Sequence, residues 1–92
     1  MNVELRFFAT FRQAVGQKVV EREFPEGTTI GDVLYELEAE YDELAGQLIE
    51  DDDLRPHINV LKSGREALHL DGMETVLEDG DRLSIFPPVA GG

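Results

Sequence analysis

The chain contains no cysteine, which excludes a disulfide framework, a thiol nucleophile, a redox pair and a Cys zinc site together. Basic residues are nearly as scarce. Six arginines (Arg6, Arg12, Arg22, Arg55, Arg65, Arg82) and two lysines (Lys18, Lys62) stand singly among 20 Asp and Glu. No basic stripe can be drawn to neutralise phosphates, which argues against nucleic-acid binding. The two histidines, His57 and His69, lack companions at metal-ligand spacing and read as packed or exposed side chains. Apolar runs are only a few residues long, and Met1 leads into Asn2 and an alternating segment instead of a basic stretch followed by an apolar one. Neither a membrane span nor a signal peptide is expected, and the chain reads as soluble and cytoplasmic.

Signatures of catalysis are missing as well. Gly-x-Gly-x-x-Gly and Gly-x-x-x-x-Gly-Lys do not occur, so no phosphate cradle is signalled. Ser63 and Ser84 carry no motif that activates a hydroxyl. Asp51-Asp52-Asp53 reads as a solvated acidic loop, since a calcium loop needs spaced oxygens and a distal Glu after a Gly. No metal site is expected.

What is present is 92 residues, 41% hydrophobic and 30% charged. That is enough for one small globular domain burying about 60–65% of its unfolded surface. The formal charge is -12. Such a surplus suits a chain working in concentrated salt, where a short Debye length screens self-repulsion. It equally suits an acidic protein kept soluble by its charge, and composition does not separate the two.

Met1, Val3, Leu5 and Phe7 alternate with Asn2, Glu4, Arg6 and Phe8, predicting a strand over 2–8 with one buried face. Phe11, Ala14 and Val15 predict a single helical turn ending at Gly16. Residues 18–24 are β-prone but heavily charged, as suits an edge strand, and Pro25-Glu26-Gly27 breaks it. Thr29 stands three residues before Asp32 as a capping box. Ile30, Val33, Leu34, Leu37 and Tyr41 then follow at helical spacing, with Asp32, Glu36, Glu38 and Glu40 facing water. A weaker turn holds Leu44, Leu48 and Ile49. A third strand is expected over 58–61, a hairpin turn at Ser63-Gly64, a return through 65–70 carrying His69, and a last strand over 82–86. One helix over one face of a small sheet buries both apolar surfaces, an α+β arrangement.

The end of the chain is the informative segment. Pro87 and Pro88 lack N–H donors and fix φ, so the ladder stops at Phe86 and the tail leaves the sheet extended. The six residues Pro87 to Gly92 span roughly 18–20 Å at about 3.1 Å each, enough to thread into another protein's active site. Gly91 and Gly92 lack Cβ, pass a narrow channel, and leave a terminal carboxylate open to attack on an activated phosphate. An idle, frayed terminus would end in Gly-Gly by chance in only about half a percent of chains.

Leu77-x-Asp79-Gly80-Asp81-x-Leu83 running into Phe86-Pro87-Pro88-Val89-Ala90-Gly91-Gly92 resembles the ending of the ubiquitin-like sulfur carriers and modifiers. These include the small subunit of molybdopterin synthase (MoaD), the thiamine sulfur carrier (ThiS) and, above all, the small archaeal modifier proteins. The last also show a stretch similar to His57-Ile58-Asn59-Val60-Leu61 before a polar-Gly turn, and the acid-rich composition fits a haloarchaeal member. The resemblance implies a β-grasp fold: a mixed sheet of four to five strands packed on one main helix over 1–86, with a flexible tail over 87–92.

It also implies a mechanism in which the chain binds no cofactor and is not itself an enzyme. An E1-like activating enzyme uses ATP and Mg²⁺ to adenylate Gly92. A lysine amine of a target protein then forms an isopeptide bond, or sulfur transfer gives a thiocarboxylate for molybdopterin or thiouridine synthesis, with the large subunit of molybdopterin synthase as a partner in that second case. In this reading Gly91 and Ala90 line the enzyme's channel, and Pro87, Pro88 and Val89 direct the tail. Phe8 and Phe86, opposite in alternation to Leu5 and Leu83, are docking candidates, with a place in the core as the competing reading. Lys18 and Lys62 are candidate acceptors of another modifier. A non-covalent interaction domain is disfavoured by the free Gly-Gly.

Overall fold

The structure is a computed structural model, and residues 1–88 are described. The elements run β1 (Asn2–Phe7), α1 (Ala9–Val15), β2 (Val19–Glu23), α2 (Ile30–Glu40), β3 (Ile49–Glu50), β4 (Asp53–Leu54), β5 (Asn59–Lys62), β6 (Arg65–Glu66) and β7 (Arg82–Phe86). Five strands form one mixed sheet in the order β2-β1-β7-β5-β6. The first and last strands lie side by side and parallel at its centre, and the remaining neighbours are antiparallel. This is the α+β, β-grasp arrangement, with α2 as the main helix.

Period-2 alternation builds the core. Val3, Leu5 and Phe7 of β1 are fully buried, and the β1–β7 register sets Leu5 beside Leu83 and Phe7 beside Ile85. Val60 of β5 faces Ile85 from the other side. Ile30, Val33, Leu34 and Leu37 of α2 close over this face. Each such side chain contributes about 1.5–3 kcal/mol relative to exposure. The capping box is complete: Thr29 Oγ1 accepts from the Asp32 N–H at 3.1 Å, and Asp32 Oδ2 accepts from the Thr29 N–H at 3.0 Å. Helix α2 ends at Glu40 with Tyr41 as its C-cap. The edge strand β2 is tied to it by Arg22, whose Nη1 and Nη2 donate to the two Glu40 oxygens at 2.7 and 2.9 Å.

The Asp79-Gly80-Asp81 turn has a physical reason for each residue. Asp79 Oδ1 accepts from the Asn2 N–H at 2.6 Å and the Gly80 N–H donates to the Asn2 carbonyl at 2.8 Å. Gly80 sits at φ 87°, the left-handed region that glycine enters without a Cβ clash. Asp81, 9% exposed, accepts from the Glu78 N–H at 2.7 Å and from Ser63 Oγ at 3.0 Å. The turn therefore bolts the start of β7 to β1 on one side and to the β5–β6 turn on the other.

Several local expectations differ from the structure, among them Glu38, which was expected to face water and is half-buried, accepting from the Leu48 and Ile49 N–H groups. The helix at Phe11 has seven residues, more than a single turn, because Gly16 at φ 85° closes it by donating its N–H to the Arg12 carbonyl. Asp51-Asp52 is not merely a solvated loop. It is the two-residue turn of a β3–β4 hairpin, with both residues at positive φ and Asp52 Oδ1 accepting from the Tyr35 hydroxyl at 2.7 Å; short polar side chains tolerate that region. The return through 65–70 is only Arg65–Glu66. A 3₁₀ turn at Ala67–His69 follows, because Ala67 turns into the core, so His69 lies on a turn and not in a strand. Strand β5 is displaced by one residue, to Asn59–Lys62.

Two outcomes test this packing. A Cβ added at Gly31 would stand 2.9 Å from the Met73 carbonyl oxygen, so Gly31→Ala is expected to lower stability by about 1–3 kcal/mol in denaturant unfolding. The Arg22 guanidinium holds the Glu40 carboxyl below the ordinary carboxylate range. A lowered folded pKa contributes stability above the unfolded value that is lost as pH falls through the folded one. Glu40→Gln is therefore expected to cost about 0.5 kcal/mol near neutral pH, the pair being screened by solvent, and nothing in acid.

Candidate functional site

The parallel register that buries Phe7 beside Ile85 carries the next residue of each strand to the opposite face of the sheet. There the Phe8 and Phe86 rings stack with centroids 4.1 Å apart and planes 11° from parallel. Both are half-buried and outside the core cluster. Stacking of this kind adds about 0.5–1.5 kcal/mol beyond area burial. Phe8 is extended at φ -127° and serves as the N-cap position of α1; the chain then reverses at Ala9, which sits at φ 50°. This reversal lays the first turn of α1 beside the aromatic pair.

Between them lies a cavity of about 410 Å³ lined by Phe8, Ala9, Thr10, Asn59, Phe86, Pro87 and Pro88. Asn59 reaches it because β5 pairs antiparallel with β7 and sets Asn59 opposite Phe86. Pro87 is half-buried and Pro88 exposed, and neither continues the β7 ladder. The cavity thus opens where the tail leaves the sheet. Val89, Ala90, Gly91 and Gly92 lie outside the described residues.

Farther along the same face, Glu4 Oε2 accepts from Arg6 Nε at 2.6 Å and Arg82 Nε at 2.9 Å. Arg6 above all holds the Glu4 carboxyl below its ordinary range; burial opposes it, and Arg82 adds a further lowering. The register places Glu4 beside Arg82 and Arg6 beside Ser84. The outer face is thus charged at one end and aromatic at the end that releases the tail.

The two lysines differ in setting. Lys18 is exposed, and its carbonyl accepts from the Phe7 N–H at 2.9 Å, close to the end of β1. Lys62 lies toward the opposite end of the sheet. Its side chain is only 16% exposed, with Nζ 3.4 Å from Asp81 and 3.6 Å from Glu78. His57 is exposed, and His69 is exposed with Nε2 3.9 Å from a Glu66 oxygen. Among the described residues no group of three or more His, Asp and Glu is arranged to hold a metal ion.

The structure brings Phe8, Phe86, Pro87 and Pro88 together, and leaves both lysines apart from them. Ala9, Thr10 and Asn59 escape sequence reasoning. The first two were marked only by adjacency to Phe8, and Asn59 arrives through strand pairing that no local pattern announces.

The ThiS family model matches residues 5–92. Small archaeal modifier protein 3 of Haloferax volcanii is 64% identical over 92 residues, covering all of both chains. The sulfur carrier protein CysO of Mycobacterium tuberculosis is 32% identical over 96 residues, again covering all of both. Among solved structures, the crystal structure of the BexX/CysO complex of Amycolatopsis orientalis contains a chain similar at a TM-score of 0.82 and 28% identity, over 98% of this chain and 99% of that one. The chain belongs to the ThiS family, among the small archaeal modifier proteins.

Proposed function

We propose that this chain is a ubiquitin-like protein modifier that works through the carboxylate of Gly92. The observation that carries the reading is the full-length identity of 64% to a small archaeal modifier protein. It is supported by a central strand that runs directly into Pro87-Pro88-Val89-Ala90-Gly91-Gly92. An E1-like enzyme supplies the catalysis. The Gly92 carboxylate oxygen attacks the α-phosphorus of Mg²⁺-bound ATP and pyrophosphate leaves, giving an acyl adenylate. A lysine amine of a target protein then attacks the acyl carbon, AMP departs with the bonding electron pair, and the amine releases a proton as the isopeptide bond forms.

The chain donates its own terminus and performs no catalysis alone. Gly91 and Ala90 occupy the enzyme's channel, where absent or small side chains let backbone approach closely. Pro87, Pro88 and Val89 set the tail's direction and reduce the freedom lost on docking. Phe8 and Phe86 form the apolar docking surface. Lys18 and Lys62 are the acceptor amines for a second modifier, Lys18 the more open of the two. Among the described residues no helix is long and apolar enough to cross a membrane, and the ATP-dependent partner places the work in the cytoplasm.

The similarity to a sulfur carrier protein favours a second use of the same adenylate. Displacement of AMP by a sulfur nucleophile gives a C-terminal thiocarboxylate, available to a partner such as the large subunit of molybdopterin synthase or to tRNA thiolation.

Deleting Gly91 and Gly92 is expected to leave thermal unfolding unchanged and to remove every conjugate seen by mass spectrometry of tagged protein from its host; conjugates that survive would overturn the reading. Loss of conjugates with retention of a free form heavier by the exchange of oxygen for sulfur would assign the carrier role. Phe86→Ala is expected to cost about 1 kcal/mol of stability, as for a half-buried stacked ring and unlike the 3–5 kcal/mol of a core Phe, while weakening adenylation of Gly92 by the activating enzyme. A core-sized loss in denaturant titration would place the ring in the core instead.

A further inference from the structure

Three segments, 5–20, 54–65 and 82–92, hold no Asp or Glu, although the chain carries 20 of them. Strand pairing brings parts of all three to one end of the sheet. The first closes β1 and forms α1, the second turns into β5 at Asn59, and the third runs through β7, where Phe86 faces Asn59 and Ile85 lies beside Phe7. The tail departs from this end.

Two exposed cations stand here. Arg12 lies in the last turn of α1, and Lys18 is held by its carbonyl to the Phe7 N–H. Of the eight basic residues, Arg6, Arg22, Lys62 and Arg82 are in ion pairs, and Arg55 donates to the Gly46 carbonyl. Among the described residues Arg12, Lys18 and Arg65 have no such partner, and Arg65 follows the Ser63-Gly64 turn at the far end of the sheet. Asp42 and Glu43 approach on the exposed side of a 3₁₀ turn packed against α1, and neither pairs with Arg12 or Lys18. In so acidic a molecule, free cations gathered where the tail leaves make one end unlike the rest.

Resting on the modifier reading above, we infer that Arg12 and Lys18 form a cationic docking edge for the target protein, and that the surface it takes is an acidic one flanking the acceptor lysine. Gly92 lies at most roughly 20 Å of chain from Pro87, so a lysine joined to it brings its own surface up to this end. Charge complementarity selects the occupant: the edge offers two unpaired cations, and like charges set against each other are what suppress wrong partners. A groove lined by Ala9, Arg12, Gln13 and Gly16 shares only Ala9 with the tail-root cavity. A body seated on the Phe8–Phe86 stack therefore need not cover Arg12.

The edge acts as a specificity device and not on the chemistry at Gly92. Its guanidinium offers a planar fork that matches a carboxylate. In concentrated salt, where charge reaches only about 3 Å, the preference is read at contact. Acid-flanked lysines are then favoured over neutral-flanked ones by a margin that narrows as salt rises.

Two acetylated acceptor peptides of equal length test this, each with one lysine, flanked in one by glutamates and in the other by glutamines. Full-length protein, ATP, Mg²⁺ and the purified E1-like enzyme of the same organism are incubated with each peptide, and initial rates of isopeptide formation are read by mass spectrometry. Potassium chloride is raised from the lowest concentration at which the parent stays folded by circular dichroism. The readout is the ratio of the two rates, from which any change in activation cancels. Non-covalent binding of each peptide without ATP is followed by amide chemical shifts.

The double variant Arg12→Gln/Lys18→Gln is expected to lower the ratio about fivefold at the lowest salt, with the difference fading as salt rises. Arg12→Lys/Lys18→Arg keeps both charges while removing the amine at position 18, and is expected to retain the parental ratio. Arg65→Gln, which removes a free cation at the other end, is expected to retain it too. The glutamate peptide should shift the amides of α1 and Lys18 in the parent and not in the double glutamine variant.

Conjugates formed with a ratio unchanged in Arg12→Gln/Lys18→Gln, or lowered as much by Arg65→Gln, would overturn the docking edge and uphold the modifier reading. Charge-dependent binding of the glutamate peptide with no isopeptide to either peptide would uphold the edge and overturn the modifier reading. Neither binding nor conjugates would overturn both.

Discussion

The parallel pairing of β1 with β7 holds the sheet at its centre, and every other feature depends on it. One face of the pair supplies Leu5, Phe7, Leu83 and Ile85 to the core, and the other ends in the Phe8–Phe86 stack. A shift of one residue would turn both sets over at once, because side chains on a strand alternate with period two. The core therefore fixes the geometry of the tail's root. The Asp79-Gly80-Asp81 turn sets the register from the far end, through its bonds to Asn2 and its contact with Ser63.

This pairing joins residues nearly the whole chain apart, so it closes a long loop before its contacts are gained. Local elements make that loop shorter in effect. The capping box at Thr29, the seven-residue α1 and the tight hairpin at Asp51-Asp52 each form from near neighbours. Helix α2 then clamps the intervening loop, with Glu38 Oε2 accepting from the Leu48 and Ile49 N–H groups at 2.9 and 2.8 Å. A half-buried carboxylate with two backbone donors is strongly directional, which explains why so acidic a segment still follows one path.

Much of this was legible in the sequence because it is local. Alternation at Val3, Leu5 and Phe7 revealed the buried face of β1, and the Thr29–Asp32 spacing revealed the start of α2. Phe8 and Phe86 could be placed on the outer face from parity alone. The stack between them could not, since it needs the register of two strands distant in sequence. The hairpin at Asp51-Asp52 was hidden because two-residue turns of its kind are signalled by Asn-Gly, and here two aspartates adopt positive φ instead. Lys62 read as a free surface amine, and only the tertiary position of Asp81 shows its cover. Asn59 was marked only as part of the stretch 57–61 that resembles the family, and nothing local announced its place at the cavity, which comes from facing Phe86 across a strand pair.

Strands β1 and β7 run in the same direction, which separates the two ends of the molecule. The Met1 amine donates to the Phe24 carbonyl at 2.8 Å at one end of the sheet, while Pro87 departs from the other, about 20 Å away along six residues of strand. An affinity tag or a second domain fused at the amino end thus stands at the end of the sheet opposite Pro87, away from the point where the tail departs. Modules fused in series through that end would lie nose to tail, each presenting its Phe8–Phe86 stack on the side of the link to the next.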